Sequence, residues 1–338
     1  MRYVHRLTGP LLAAALVASC ATVPRGEEGA APAASVQEPA APERTSPDAS
    51  PVASAVVPTP ARISIPHTAV VVSADIPEYT QIVAEILRRG GNVTVYGLSA
   101  QPSNATNVVA AVENARPDRI IAVGLLAAVV ARGVADTPMV FCQVYNYQDH
   151  RLISAKSKGV DLLPPVDLQL RSWQALARNL HHIGVVTGAG HDPLLAEMRQ
   201  AAASVGIELT ARVVQSDREA LHEFKELAPY VDGLWLLPDN RILSPDVVRA
   251  IFSYSAKHTK QIAAFGDNLL AMGALLSSTA DPRDVVDRVL ERLDAVDDSG
   301  RILGPDMLPL TAIHTRVNGE VARRMGLVPS VERAAAAR

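Results

Sequence analysis

Asp239-Asn240 closes the apolar run 231–237, and Asp267-Asn268 closes the next one, 262–265. A carboxylate at such a strand end can pair with a ligand ammonium, while the neighbouring amides donate and accept to orient the molecule. The same residue types also serve as solvated turns, a role in which Asn replaces Asp without loss. Gly124 follows another apolar run and opens a helical stretch, where unpaired N–H groups and the positive end of the helix dipole can hold a carboxylate. A plain tight turn is its alternative role. Ser73, Leu125, Asn146 and Gly188 stand at equivalent strand ends, and Tyr79 and Tyr145 offer rings that can stack on a ligand. Ser73, Tyr79, Gly124, Leu125, Tyr145, Asn146, Gly188, Asp239, Asn240, Asp267 and Asn268 form the candidate ligand-binding set.

Other chemistries find little support. His181 and His182 are adjacent and so point to opposite faces of a strand, and neither they nor His191 stand at metal-ligand spacing from a Cys, His or carboxylate set. Gly188-Ala189-Gly190 lacks the third glycine of a dinucleotide loop. No nucleophile elbow, phosphate loop or His-Glu-x-x-His motif occurs. The expectation is therefore no catalytic residues, no metal, no cofactor and no enzyme. A formal net charge of -3 offers no basic surface for a phosphate backbone, so no nucleic acid is expected as a partner.

The residues at strand ends need strands to carry them. Short apolar runs at 69–72, 93–96, 120–123, 140–144, 183–186, 209–214, 231–237 and 262–265 alternate with amphipathic stretches, the pattern of βαβ units in a parallel sheet. The runs are continuous, as strands covered on both faces require. Tyr79, Ile82, Val83, Ile86 and Leu87 recur at helical spacing, with Gly90 and Gly91 as a stop. Three further helices open on Asp192-Pro193, Ser244-Pro245 and Asp281-Pro282, a capping oxygen followed by Pro at the first helical position. A helix carrying Leu170, Trp173, Leu176 and Leu180 separates two similar series. Aromatics make up only 4% of the chain, so the layers must pack on small aliphatic side chains. The expected fold is α/β: two doubly wound parallel sheets forming two lobes with a cleft between them.

The N-terminus reads as a targeting segment. Arg2 and Arg6 precede an apolar stretch, 7–18, too short to cross a bilayer as a mature helix, and Val17-Ala18-Ser19-Cys20 follows. This resembles the lipobox of bacterial lipoproteins, in which the chain is cut before the cysteine and the thiol is acylated. The second cysteine, Cys142, sits in an apolar run and reads as a small core residue, leaving no disulfide within the chain. The expected organisation is 1–19 signal peptide, 20–66 lipidated Cys20 and an Ala/Pro-rich tether, 67–165 first lobe, 166–265 second lobe, 266–330 return segments crossing between the lobes, and 331–338 a tail. The tether is too poor in large apolar residues to order itself.

Several stretches occur together in a telling order: Asp136-Thr137-Pro138-Met139-Val140-Phe141-Cys142, Ile183-Gly184-Val185-Val186, Val205-Gly206-Ile207, Val231-Asp232-Gly233-Leu234-Trp235, Met272-Gly273-Ala274-Leu275 and Arg316-Val317-Asn318. Over residues 68–330 the chain resembles the ABC-transporter substrate-binding proteins of tryptophan and tyrosine type, which have a type I periplasmic-binding fold. The resemblance implies a monomeric, lipid-anchored protein on the periplasmic side of the inner or the outer membrane. It implies hinge closure on a small solute, an amino acid or similar molecule, and delivery to an ABC permease. The chain departs from the family at Val144-Tyr145-Asn146-Tyr147 and at Ala280-Asp281-Pro282-Arg283-Asp284. Two other readings therefore stay open: an envelope or sensor lipoprotein that retains the fold, and an enzyme of doubly wound fold.

Overall fold

The structure, a computed structural model, describes residues 65–134 and 136–327. The signal peptide, Cys20, the tail and all of the tether but Ile65 and Pro66 lie outside the described residues. Among the described residues no helix is long and apolar enough to cross a membrane.

The first lobe is built from β1 (His67–Val72), α1 (Pro77–Arg89), β2 (Asn92–Gly97), α2 (Ala105–Ala115), β3 (Arg119–Val123), α3 (Leu125–Ala131), β4 (Met139–Cys142) and β5 (Ser157–Val160). The second follows with α4 (Val166–Leu176), β6 (His182–Gly188), α5 (Asp192–Ser204), β7 (Glu208–Val214), α6 (Asp217–Leu227), β8 (Gly233–Trp235), α7 (Pro245–Lys257), β9 (Gln261–Ala264) and β10 (Leu276–Ala280). The chain then returns to the first lobe for α8 (Pro282–Asp294) and β11 (Met307–Leu308), and ends in the second with β12 (Ile313–Val317) and α9 (Gly319–Arg324). The strand orders are β11-β5-β4-β3-β1-β2 and β12-β10-β9-β8-β6-β7. All pairings are parallel except β10 with the edge strand β12. Three crossings thus join the lobes, at 161–165, at Asp281 and at 309–312.

Burial on both faces explains the continuous apolar runs of β1, β3, β4, β6, β8 and β9, whereas β2 and β7, expected to be covered alike, stand at the sheet edges and are largely exposed. In β1, Ala69 and Val71 pack with Val112, Ala127 and Phe141 on one face, while Val70 and Val72 pack with Ile82, Ile86, Val285 and Val289 on the other. The second sheet is covered by α4, α5 and α9 on one side and by α6 and α7 on the other. Trp173 of α4 is fully buried, and its indole N–H donates to Gln261 Oε1 at 2.8 Å. Cys142 is buried, and burial pushes its thiol up to about 12, as a small core residue requires.

The helix signals hold with one exception. α1 ends where expected, with the Gly90 N–H donating to the Leu87 carbonyl at a φ of 78°. Ser244 and Asp281 cap α7 and α8 through their side chains. Asp192, by contrast, is the first residue of α5, and His191 before it makes no side-chain cap. The helix of Leu170 and Trp173 ends at Leu176, and Leu180 packs into the same core from beyond it.

A small polar clasp recurs at the start of each sheet. The His67 N–H donates to Asp118 at 2.6 Å, and its ring nitrogen Nε2 lies 3.0 Å from the Thr94 hydroxyl. In the second lobe the His182 N–H donates to Asp232 at 2.9 Å, and its Nε2 lies 2.8 Å from the Thr210 hydroxyl.

Candidate functional site

The loops beyond the carboxyl ends of both sheets line a cleft of about 1080 Å³ between the lobes. Parallel sheets bind ligands at this end because the strand-to-helix turns gather there. Tyr79, Leu125, Tyr145 and Asn146 reach it from the first lobe, and Asn240, Asp267 and Asn268 from the second. Ser73, Gly124, Gly188 and Asp239 do not line it, and each has an occupation behind the wall.

Ser73 caps α3, its hydroxyl accepting from the Ala127 N–H at 2.8 Å. Gly124 takes a φ of 87°, and a Cβ there would stand 2.6 Å from Ser73 Oγ and 2.8 Å from the Tyr79 ring. Its own N–H already donates to the Cys142 carbonyl at 2.9 Å. The Gly124 and Ala127 N–H groups are thus engaged within the fold. The lack of a side chain at Gly124 lets Tyr79 pack against the turn, which fixes that ring at the cleft wall. Burial, then the nearby Cys142 and Glu78, push the Tyr79 phenol up.

Asp239 is fully buried and fully engaged. Arg241 donates to both carboxylate oxygens, Nε to Oδ1 and Nη2 to Oδ2, each at 2.8 Å, and its backbone N–H adds a bond at 3.2 Å. The Gly188 N–H donates to Oδ2 at 2.9 Å, and Asn146 Nδ2 to Oδ1 at 3.2 Å. Burial alone would raise the Asp239 pKa, but these donors outweigh it and hold the carboxyl at about 2. No lone pair is left to meet a ligand ammonium. Asp239 instead organises the loops around it, and Gly188 is one of its donors.

Asn146 joins this group from the other lobe. Its Nδ2 also donates to Asn240 Oδ1 at 2.9 Å, and its Oδ1 lies 3.1 Å from His191 Nε2. Arg241 Nη2 lies 2.8 Å from that same nitrogen, which can accept from Arg241 or donate to Asn146 Oδ1 but not both. Burial pushes the His191 pKa down, which keeps the ring neutral and able to accept. Tyr145 lies with its ring 4.5 Å from the His191 ring and packs against the core of the second lobe, and burial pushes its phenol well up.

The cleft also holds residues that reading the strand ends had passed over. Arg316 Nη1 donates to Asp267 Oδ2 at 3.0 Å, and the Ser277 hydroxyl bonds Asp267 Oδ1. The antiparallel register sets Arg316 opposite Ser277 and so delivers the guanidinium to Asp267. Glu78, Gln81, Gln143, Phe265, Thr279 and His314 also line it, with apolar side chains such as Ile82, Leu162 and Leu163. Gln143 stands at a φ of 60°, a conformation that side chains other than glycine rarely take and that recurs at functional loops. The lining therefore combines amides, aromatic rings, aliphatic side chains, the Asp267–Arg316 pair, the Glu78 carboxylate and the His314 imidazole. Among the described residues no group of three or more His, Cys, Asp or Glu side chains gathers as a metal would need.

No family model matches this sequence, and no curated protein does. Solved structures do match in shape. The ABC domain from Streptococcus pneumonia in complex with L-Trp has a TM-score of 0.56 and 17% identity, covering 80% of this chain and 98% of that one. A conserved domain protein from Vibrio cholerae has a TM-score of 0.54 and 17% identity, covering 78% and 96%. A ligand-free, open substrate binding protein with adhesive properties from Clostridium difficile has a TM-score of 0.57 and 13% identity, covering 78% and 96%. With its two parallel-dominated six-stranded sheets and interlobe cleft, the chain has the two-lobed type I periplasmic-binding-protein fold.

Proposed function

We propose that the chain is an extracytoplasmic solute-binding lipoprotein of an ABC-type uptake system. It is tethered through Cys20 on the periplasmic side of a membrane, works as a monomer and offers its solute to a permease. The observation that carries this reading is the cleft of about 1080 Å³, whose lining orients a small polar molecule and nominates no nucleophile or proton-transfer pair. The solute class is an amino acid or similar molecule. Asp267 and Arg316 present both signs of charge side by side, so a zwitterion sets its carboxylate toward Arg316 and its ammonium toward Asp267. Tyr79, Leu125, Tyr145, Asn146, Asn240 and Asn268 supply the surrounding contacts. The L-Trp bound by the Streptococcus pneumonia domain supports the class.

A thermal-shift panel of amino acids, sugars and small cations on the full chain tests this. A solute at 100 times its Kd stabilises the native state by about 2.7 kcal/mol. Amino acids should shift the melting temperature, and Arg316→Gln should remove the shift without changing the unliganded melting temperature. A panel in which only sugars act overturns the amino-acid reading, and one in which no solute acts overturns the binding reading. Mass spectrometry of the mature N-terminus tests the anchor: an acylated Cys20 as first residue is expected, and a chain starting elsewhere rules it out.

A further inference from the structure

The loop after β4, residues 143–149, roots in the first lobe through Val144 and Tyr147 and reaches the second through Tyr145, Asn146 and Asp149. Tyr145 packs against the second lobe's core beside His191. Asn146, only 5% exposed, bonds Asp239 and Asn240. Asp149 accepts from Arg241 Nη1 at 3.2 Å. Both strands flanking the loop, β4 and β5, lie in the first sheet, whereas 188–191 and 239–241 hang from the second. Among the described residues the chain crosses between the lobes at three places, and the side chains of this loop add a further tie.

We propose that residues 143–149 form an interlobe latch that fixes the aperture of the cleft on this side and confines lobe rotation to the side of Tyr79 and Phe265. The bond between Asn146 and Asp239 is out of water, where a hydrogen bond to a charged partner is strong and costly to leave unmade. The Arg241–Asp149 pair faces solvent and is the weaker tie. Arg241 links the two, because the guanidinium that pairs with Asp149 is the one that fills the Asp239 carboxylate. Such a latch keeps the binding-competent spacing populated before a solute arrives, so less of the binding free energy is spent on ordering the lobes. It concerns the lobes alone and stands whether or not the cleft takes an amino acid, so its test uses no solute.

The measurement is the interlobe distance distribution by double electron–electron resonance on the full chain. Spin labels go on Glu113→Cys in α2 and Arg199→Cys in α5, both exposed, in a background carrying Cys20→Ser. Cys142 is buried and escapes labelling. The unlatched variants are Asn146→Ala, Asp149→Asn and the two combined. Asp136→Asn, which cuts an exposed ion pair to Lys156 within the first lobe, is the control. Latched protein and control should share one narrow distribution, and the double variant should add a longer-distance population that exceeds the one in either single variant. A double variant that melts cooperatively yet keeps the narrow distribution overturns the proposal. So does a control that broadens as much as the double variant.

Discussion

The guanidinium of Arg241 and the carboxylate of Asp239 meet in a two-pronged pair, Nε on Oδ1 and Nη2 on Oδ2, both at 2.8 Å, with the acid wholly out of solvent. Such a pair is costly to break from one side, because the remaining charge stays in place without its partner. Asp239→Asn should therefore destabilise the ligand-free protein by about 2–4 kcal/mol in denaturant unfolding. A solvated turn would tolerate the change, and an unchanged unfolding midpoint would restore that reading of Asp239.

Asp161, at the first crossing, behaves in the opposite sense. Burial, then the nearby Glu197, raise its carboxyl to about 6. A folded pKa above the unfolded value of about 3.9 means that the native state holds the proton more tightly, so this group's contribution weakens as pH rises from about 4 through 6. Asp161→Asn mimics the protonated form. It should leave stability at pH 4 nearly unchanged and raise it at pH 8 by about 1–3 kcal/mol. Unfolding midpoints at pH 4, 6 and 8 check this, and an equal effect at all three would remove Asp161 as the cause.

At Gly124 the backbone and the packing both forbid a side chain. Gly124→Ala must strain a φ of 87° and displace Ser73 or Tyr79. A loss of about 2–4 kcal/mol is expected, with a shift of the Tyr79 ring resonances in NMR. Ser73→Ala, which removes only the cap of α3, should cost about 1 kcal/mol by the same melting assay.

The third crossing is stapled by Asp284. Its Oδ2 accepts from the Thr311 and Ala312 N–H groups at 2.6 and 2.9 Å, and its Oδ1 from the Thr311 hydroxyl at 2.8 Å. Burial would raise its pKa, but these donors hold it below the usual carboxylate range. Asp284→Ala should cost about 2–4 kcal/mol and speed hydrogen exchange at Thr311 and Ala312, both hinge amides. Exchange unchanged at those two amides would separate Asp284 from the hinge.

Eight strands were legible, six of them because burial on two faces demands continuous Val, Ile, Leu and Ala, as at Val70 to Val72, and the edge strands β2 and β7 from their β-branched residues despite wide exposure. β5, β10, β11 and β12 escaped that reading for local reasons, β11 because it is only two residues long. Ser157-Lys158-Gly159-Val160 and Leu276-Ser277-Ser278-Thr279-Ala280 carry polar side chains in short strands, and β12 alternates as an antiparallel edge strand does. The site was legible as a set of loops but not in its division of labour. A carboxylate at a strand end suits a ligand ammonium or an internal guanidinium equally, and Asp239 was decided by Gly188, 51 residues away, and Asn146, 93 residues away. Arg316 was hidden because its partner Asp267 is set only by the pairing of β12 with β10.

The paired clasps at the sheet starts separate the foundation of each lobe from its binding end. His67, Thr94 and Asp118 in one lobe correspond to His182, Thr210 and Asp232 in the other, and the two sheets share one strand order. The His-to-Asp separation is 51 residues in the first lobe and 50 in the second. None of these six residues touches the cleft, so solute recognition cannot account for the match. Each first strand is thus anchored at its start by the same His, Thr and Asp contacts, so the loops at the opposite end of each sheet are free to differ without loosening it.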